Sequence, residues 1–246
     1  MLRLFCILAL VLLARSVPAL AQDGRELTEE ARKQYAIGLK EASALVKDRQ
    51  FDNALAKLAR SHPGELVRFA PSADCDLARA IGLTAQSPAL WELPIDTIEL
   101  GDGFAVNMVV LGTRPHRVRR WTRSHVFVVH VDDRLVFDGR ATSVLVANGQ
   151  YLGGRDVVPR GHPGDGRLEL QVYAVRARER GSMRSRLAAG THVPHPEITS
   201  VSGRRIRIRI PGPARGQVRA EVDGGSVPAR GLWEAEVVPG ALRLLV

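Results

Sequence analysis

The residues of this chain that are best placed to do chemistry lie in a glycine-dense segment around Asp165. Six glycines between positions 149 and 166 permit backbone angles that other residues disfavour, while Pro159 and Pro163 stiffen the chain. A carboxylate on such a loop, together with nearby backbone carbonyls, supplies the oxygen ligands that Mg²⁺ prefers. The pair Asp165-Gly166 is also common in plain turns. The segment therefore indicates either a cation site or a turn.

Both flanks of this segment have the pattern of β-strands. Residues 143–147 form a short apolar run, and Leu168, Leu170 and Val172 alternate with Glu169, Gln171 and Tyr173. The alternation predicts a strand with one buried face. The order of strand, glycine-rich loop and strand predicts a backbone shaped around a site.

A row of arginines near the C-terminal end is a second candidate surface. Arg205, Arg207 and Arg209 alternate with isoleucines, so their guanidinium groups should project from one face of a strand. Such a face suits phosphate or an anionic membrane surface, although a simply solvated strand has the same pattern. Nucleic acid is disfavoured as a partner, because aromatic residues do not alternate with the basic ones to provide stacking platforms.

Other chemistries find little support in the sequence. There is no G-x-S-x-G elbow, no Walker loop and no dinucleotide fingerprint. His192 and His195 could suggest a metal site, but prolines follow both closely and no cysteine or acidic cluster accompanies them. A loop is the favoured interpretation of that segment.

Residues 1–21 have the composition of a secretory signal peptide. Arg3 precedes an apolar run over residues 4–14, and Ala19-Leu20-Ala21 forms a small-x-small cleavage pattern. The pattern predicts a secreted or periplasmic protein, with a retained amphiphilic anchor or a misassigned start codon as alternatives. Cleavage would leave Cys75 as the single cysteine, so no intramolecular disulfide is expected.

Residues 22–62 are predicted to form a helical hairpin. Tyr35, Leu39, Ala42 and Leu45 share one face of a helix, and a second apolar group follows after residue 50. The spacing of the small residues resembles one tetratricopeptide unit, which cannot bury its own face and would pack on the rest of the chain or on a protein partner. All the lysines precede residue 58, which favours a domain boundary near residue 60.

From residue 66 onward, short strands separated by turn residues are expected. Further strands are predicted at 66–69, 97–100, 104–111 and 125–131. Turns are predicted at Asp102-Gly103, Asp132-Asp133, Asp138-Gly139 and Asp223-Gly224-Gly225. The predicted fold class is α+β: a mainly antiparallel β-sandwich-type domain preceded by a short helical hairpin. With 246 residues, of which 45% are hydrophobic, the chain can bury a substantial core.

Several of these motifs together resemble a known family. The pattern N-G-x-Y-x-G-G from Asn148, followed by Pro159 and then D-G-x-L from Asp165, is similar to the C-terminal domain of the diacylglycerol kinase and sphingosine kinase superfamily, in its bacterial lipid kinase branch. Upstream, residues 71–83 resemble the family's P-x-G-T-x-N-D-x-A-R-x-L-G-[IL] segment. Downstream, residues 222–225 and 238–242 resemble its D-G-E turn and its P-G-A-L strand.

The resemblance extends over about residues 65 to 246 and implies a domain organisation. Residues 63–95 would be a remnant of the nucleotide-binding domain, and residues 96–246 would be the lipid kinase-like β-domain. The cofactors implied are ATP and Mg²⁺, and the implied partner is a lipid substrate or an anionic membrane surface.

The resemblance also assigns roles to individual residues. Ser72 and Asp76 would lie beside the ATP cofactor. Asp165 would hold a structural Mg²⁺ with the backbone carbonyls of His162 and Arg167. Asp223 would be the substitute catalytic base.

Two parts of the family's machinery are missing from the sequence. The family's G-G-D-G-T loop corresponds to residues 46–53, which read VKDRQFDN and contain no glycine that would let backbone amides approach a phosphate. The glutamate of D-G-E corresponds to Gly225. The resemblance thus implies ATP-dependent phosphorylation of a lipid alcohol, and the missing parts imply that this activity is impaired.

Two alternative interpretations stay open on the sequence alone. The chain could be a non-catalytic module that binds lipid or protein through its basic β-face, or a fusion or gene-model artefact. The family resemblance also favours a cytoplasmic or membrane-associated protein, in conflict with the N-terminal signal.

Overall fold

The computed structural model describes residues 66–68, 75–83, 92–101, 103–212 and 218–245. The predicted signal peptide, the helical hairpin with its tetratricopeptide resemblance, and Ser72 lie outside these residues. Within them the strands are β1 (Leu66–Arg68), β2 (Glu92–Glu99), β3 (Phe104–Ala105), β4 (Met108–Gly112), β5 (His125–Val131), β6 (Arg134–Ala141), β7 (Ser143–Ala147), β8 (Tyr151–Leu152), β9 (Arg155–Asp156), β10 (Leu168–Tyr173), β11 (Ile198–Gly203), β12 (Arg205–Arg209), β13 (Ala220–Val222), β14 (Gly225–Val227) and β15 (Leu232–Leu245). The helices are α1 (Asp76–Ala80) and α2 (Arg180–Ala188), with a 3-10 turn at Pro115–Arg117.

The strands form two stacked sheets and one small hairpin. The larger sheet has the order β3-β2-β15-β12-β5-β6, with β1 added in parallel to the end of β15. The second sheet has the order β11-β10-β7-β4-β13-β14 and is antiparallel throughout. The hairpin is β8-β9. The prediction of a mainly antiparallel β-sandwich is confirmed.

The main core lies between the two sheets and is largely aliphatic. Ile206 and Ile208 of β12 face Phe127 and Val129 of β5 and the inner face of the second sheet. Because side chains alternate across a strand, the arginines of β12 point outward, as the sequence predicts. Burial of such side chains provides most of the favourable free energy of folding.

A second apolar layer covers the outer face of the antiparallel sheet. Met183 and Leu187 of α2 pack there against Leu145 and Tyr173, with Val157 from the glycine-rich segment. Every residue of β10 is therefore buried. The prediction that β10 has one buried face is wrong, since a helix and a loop cover the side expected to meet water.

Two of the local predictions need correction. Asp138-Gly139 is not a turn but lies inside β6, where Gly139 pairs with Phe127. The strand expected at 104–111 is interrupted between β3 and β4, at residues whose amides bind a distant carboxylate. The Asp132-Asp133 turn is confirmed, and both residues have positive φ.

The segment before the sandwich is attached to it through β15. Leu77 and Ala78 of α1 pack against Leu242 and Leu244. The domain boundary predicted at residue 96 falls inside β2, which begins at Glu92. In the described residues, neither helix is long and apolar enough to cross a membrane.

Candidate functional site

The glycine-rich segment begins at Asn148, directly after β7, and Asn148 anchors it to the sandwich. The Asn148 side-chain amide donates to the carbonyl of Asp96 at 2.7 Å and to that of Val106 at 2.8 Å. The backbone N–H groups of Asn148 and Gly149 both donate to the carbonyl of Asn107. The start of the segment is thereby fixed to β2 and to the interruption between β3 and β4.

Glycine is required here by close packing. A Cβ on Gly161 would lie 2.6 Å from the backbone carbonyl carbon and oxygen of Gly149. Both are backbone atoms, so no side-chain rotation could relieve the overlap. The two turns of the segment can therefore touch only because position 161 is glycine, whereas a Cβ on Gly149 would overlap Asn107 Oδ1.

Asp76 binds the turn of the β8-β9 hairpin. Its two carboxylate oxygens accept hydrogen bonds from the N–H groups of Gly153 at 2.5 Å and Gly154 at 2.7 Å. Both glycines have positive φ, and Arg79 donates to the Gly154 carbonyl at 3.2 Å. The N-cap of α1 is Cys75, whose sulfur accepts from Ala78 N–H. Cys75 thus caps α1, and both oxygens of Asp76 bind the hairpin.

Asp96 is a buried carboxylate that the sequence reasoning missed. Its two oxygens accept hydrogen bonds from the N–H groups of Gly166 at 2.7 Å and Gly240 at 2.8 Å. Only 3% of its surface is exposed. A single side chain therefore joins the D-G-x-L motif to the P-G-A-L motif. The available signal was an aspartate directly after the apolar run Leu93-Pro94-Ile95.

The carboxylate of Asp223 is bound by backbone N–H groups at and beside the interruption between β3 and β4. Its carboxylate accepts hydrogen bonds from the N–H groups of Val106 at 2.8 Å, and of Asn107 and Met108 at 2.9 Å each. Asp223 is 4% exposed and has a positive φ of 49°. It fixes the β13-β14 turn to β4, while Gly225 begins β14.

These contacts join the motif residues into one network, named here the polar network: Asp76, Asp96, Asn107, Asn148 and Asp223. Asn107 completes it, because its amide donates to the Tyr151 carbonyl at 3.1 Å and its backbone contacts both Asn148 and Asp223. The structure thus brings Asp76 and Asp223 into one connected set, although they are far apart in sequence.

The predicted metal residues lie on the outside of the loop. Asp165, His162 and Arg167 are all exposed. One Asp165 oxygen accepts from the Arg167 N–H at 3.0 Å, and the His162 carbonyl accepts from the Gly164 N–H at 2.8 Å. Both contacts are typical of a turn.

The donor set near Asp165 is sparse for a six-coordinate ion. Glu169 is a buried carboxylate whose pKa is raised first by burial and then by the charge of Asp165. No group of three His, Cys, Asp or Glu side chains in the described residues could hold a metal ion. These residues do not by themselves fit Mg²⁺, and the magnesium site stays a prediction.

The arginine row of β12 is exposed as expected, but two of its three members are paired, while Arg209 lies opposite Leu232. Arg205 lies 3.0 Å from Glu236, and Arg207 lies 2.8 Å from Glu234. Both glutamates come from β15, directly opposite in the antiparallel register. The sequence pattern of β12 predicts exposed arginines. It does not indicate that glutamates of β15 lie beside two of them.

Comparison with known structures gives the same fold. The crystal structure of a diacylglycerol kinase from Bacillus anthracis str. Sterne superposes with a TM-score of 0.64 at 16% identity, covering 83% of this chain and 81% of that chain. A structure of a proposed diacylglycerol kinase from the same organism gives a TM-score of 0.64 at 16% identity, with coverages of 79% and 75%. At such identities the likeness establishes the fold alone. A comparison with curated proteins gives no match.

A protein-family model matches more than half of the chain. The model describes the YegS C-terminal NAD kinase beta sandwich-like domain, and it matches residues 112–246. The matched region contains both flanks of the glycine-rich segment, the D-G-x-L loop and the β13-β14 turn. The chain therefore belongs to the family of the YegS C-terminal NAD kinase β-sandwich-like domain.

Proposed function

We propose that this chain is a diverged lipid kinase-like protein of the diacylglycerol kinase type. Its β-domain would provide the acceptor side of an ATP-dependent phosphoryl transfer to a lipid hydroxyl, and that transfer is impaired in this chain. The proposal is supported by family membership over residues 112–246 and by the fold shared with a diacylglycerol kinase.

The proposed impairment of phosphoryl transfer rests on the environment of Asp223. A general base needs a carboxylate oxygen within hydrogen-bond reach of the substrate hydroxyl. The Asp223 oxygens already accept three backbone N–H groups, and the next acidic position of the motif is occupied by Gly225. Removing Asp223 from those amides would leave buried donors unsatisfied, which opposes its use as a base.

The cofactor side of the proposal rests on resemblance. In phosphoryl transfer, ATP supplies the phosphoryl group and Mg²⁺ neutralises its charge. Asp76, one of the two residues assigned to ATP, uses both oxygens to hold Gly153 and Gly154. Its contribution here is to position the β8-β9 hairpin.

A phosphorylation assay tests the proposal. The full chain would be incubated with labelled ATP, Mg²⁺ and diacylglycerol in mixed micelles, beside an active diacylglycerol kinase as the positive control. We expect labelled phosphatidate at a rate at least about 10³-fold below the control, in line with the loss of a general base. A rate comparable with the control would overturn the impairment.

A second arm examines Asp223 directly. If residual transfer is seen, Asp223→Asn should leave its rate unchanged once the folded fraction is corrected for by circular dichroism. Loss of transfer in a fully folded Asp223→Asn variant would show that Asp223 is the base after all.

The alternative function, a non-catalytic binding module, loses support at the β12 face. Arg205 and Arg207 are paired with Glu236 and Glu234, so the net charge of that face is much smaller than the sequence suggests. Binding of an anionic partner therefore requires a different surface.

A further inference from the structure

The loop between β4 and β5 is a strongly basic exposed surface. Arg117, Arg119, Arg120 and Arg123 are exposed and form no ion pair with any described residue. Trp121, in the middle of the loop, is 82% exposed. Residues 117–123 are named here the basic loop.

Within the part of the chain that the structure describes, no acidic side chain forms an ion pair with the basic loop. The sequence has no Asp or Glu between Asp102 and Asp132. On the neighbouring elements, Glu221 pairs with Arg114 at 2.6 Å, and the glutamates beside α2 pair with arginines of their own segment. Among the described residues, the four exposed guanidinium groups therefore act together as a positive patch without an acidic partner.

Arg180 of α2 holds the basic loop in place by hydrogen bonds to its backbone. The Arg180 guanidinium is buried, and its Nη1 donates to the carbonyls of Arg120 at 3.0 Å and Thr122 at 2.7 Å. Its Nη2 donates to Ser124 Oγ at 2.9 Å. Trp121 is thus exposed on a fixed backbone, which reduces the entropy lost when the loop meets a partner.

A basic cleft adjoins the loop at the same end of the sandwich. It has a volume of about 380 Å³ and is lined by Gly112, Thr113, Arg123, His125 and Arg219. His125 is only 9% exposed, and its ring forms no hydrogen bond with a described residue. Two guanidinium groups and one imidazole around such a space match the donors that a phosphate group requires.

The geometry points to a docking site for an anionic phospholipid bilayer at this end of the sandwich. Trp121 enters the headgroup region, where indole rings are favoured because one edge is apolar and the N–H is polar. The arginines of the basic loop contact anionic headgroups, and the cleft takes the phosphate of one lipid. The inference does not depend on phosphoryl transfer, since a chain without kinase activity would have the same surface.

Vesicle flotation of the full chain tests this docking site. Vesicles of phosphatidylcholine alone would be compared with vesicles of phosphatidylcholine and phosphatidylglycerol, at about 0.05 and about 0.5 M salt, where screening differs several-fold. We expect binding to the anionic vesicles at low salt only. Equal binding to both vesicle types, or binding that salt does not weaken, would overturn the proposal.

Variants identify the surface responsible. The triple variant Arg117→Gln, Arg119→Gln, Arg120→Gln should weaken binding at least about tenfold, given about fivefold per arginine near an anionic surface. Trp121→Ala and Arg219→Gln should each weaken it several-fold.

The matched control is Arg205→Gln with Arg207→Gln, which removes exposed arginines from the paired β12 face and should bind as the wild type does.

Three outcomes would contradict the docking site. The first is a control variant that loses as much binding as the triple variant. The second is tight, salt-dependent binding of a single-stranded oligonucleotide without vesicle binding, which would assign the basic loop to nucleic acid. The third is stabilisation of the protein by inorganic phosphate without vesicle binding, which would mean that the cleft binds small anions and that the surface does not bind a bilayer. Because all the substituted side chains are exposed, circular dichroism should show each variant folded.

Discussion

Three buried aspartates organise this protein at the scale of single residues. Asp76, Asp96 and Asp223 each accept hydrogen bonds from two or three backbone N–H groups that lie far away in sequence. Charge-assisted hydrogen bonds of this kind are about twice as strong as neutral ones. Each carboxylate thus determines where a turn lies.

Asp96→Ala should therefore destabilise the fold strongly. The N–H groups of Gly166 and Gly240 would lose their acceptor in a buried setting, and we expect the free energy of unfolding to fall by about 3 kcal/mol. Asp165→Ala, at the exposed loop position, should lower it by less than about 1 kcal/mol. Urea denaturation measures both. Similar values for the two variants would mean that Asp165 has a structural partner, such as a bound cation.

At the scale of elements, the glycine-rich segment is shaped by contact between its own turns. The segment runs from Asn148 to Gly166, its β8-β9 hairpin is bound by Asp76, and its end is bound by Asp96. Val157 and Val158 in its middle are buried against the antiparallel sheet. The segment is therefore an ordered cover over the sheet.

A pair of glycine substitutions tests this packing. Gly161→Ala should lower the free energy of unfolding by about 2 kcal/mol or more, because the new Cβ would overlap the backbone of Gly149. Gly181→Ala, on the exposed side of α2 with no atom near the new Cβ, should raise it by about 0.5 kcal/mol. Thermal and urea unfolding would show the opposite signs. A neutral Gly161→Ala would mean that the two turns are further apart than described.

At the scale of the whole molecule, buried histidines make stability depend on pH. The pKa of His116 is lowered to about 4, first by burial and then by the charges of Arg114, Arg155 and Arg117. Burial also lowers the pKa values of His125 and His192. In the unfolded chain these groups titrate near their ordinary value of about 6.5.

The direction in which stability changes with pH depends on whether the folded or the unfolded chain takes up protons at the higher pH. Between about pH 6.5 and pH 4 the unfolded chain takes up protons that the folded histidines exclude, so the free energy of unfolding is highest above pH 6.5 and falls on acidification. We expect His116→Gln to make this fall less steep, whereas His162→Gln at an exposed site should not. Urea titrations at several pH values measure the slopes. Identical slopes for wild type and His116→Gln would contradict the assignment.

The sequence alone determined the architecture and the family. The two-residue alternation in β12 and the spacing of turn residues are local properties, because a strand buries one face and a turn needs residues that tolerate positive φ. The motif order from Asn148 to Ala241 indicates the lipid kinase-like family, and the match over residues 112–246 confirms that relationship.

Only the tertiary structure decided what those residues do, because function depends on partners that are distant in the chain. The motif makes Asp223 a candidate base, whereas in the fold its carboxylate binds three amides at and beside the interruption between β3 and β4. The role of Asp96 follows only from the meeting of two motifs at its carboxylate. The pattern of β12 shows exposed arginines, whereas the fold places glutamates of β15 opposite Arg205 and Arg207. The pairing of strands that are distant in sequence decides which charges are neutralised. The residue types of one strand do not show which strand will lie beside it.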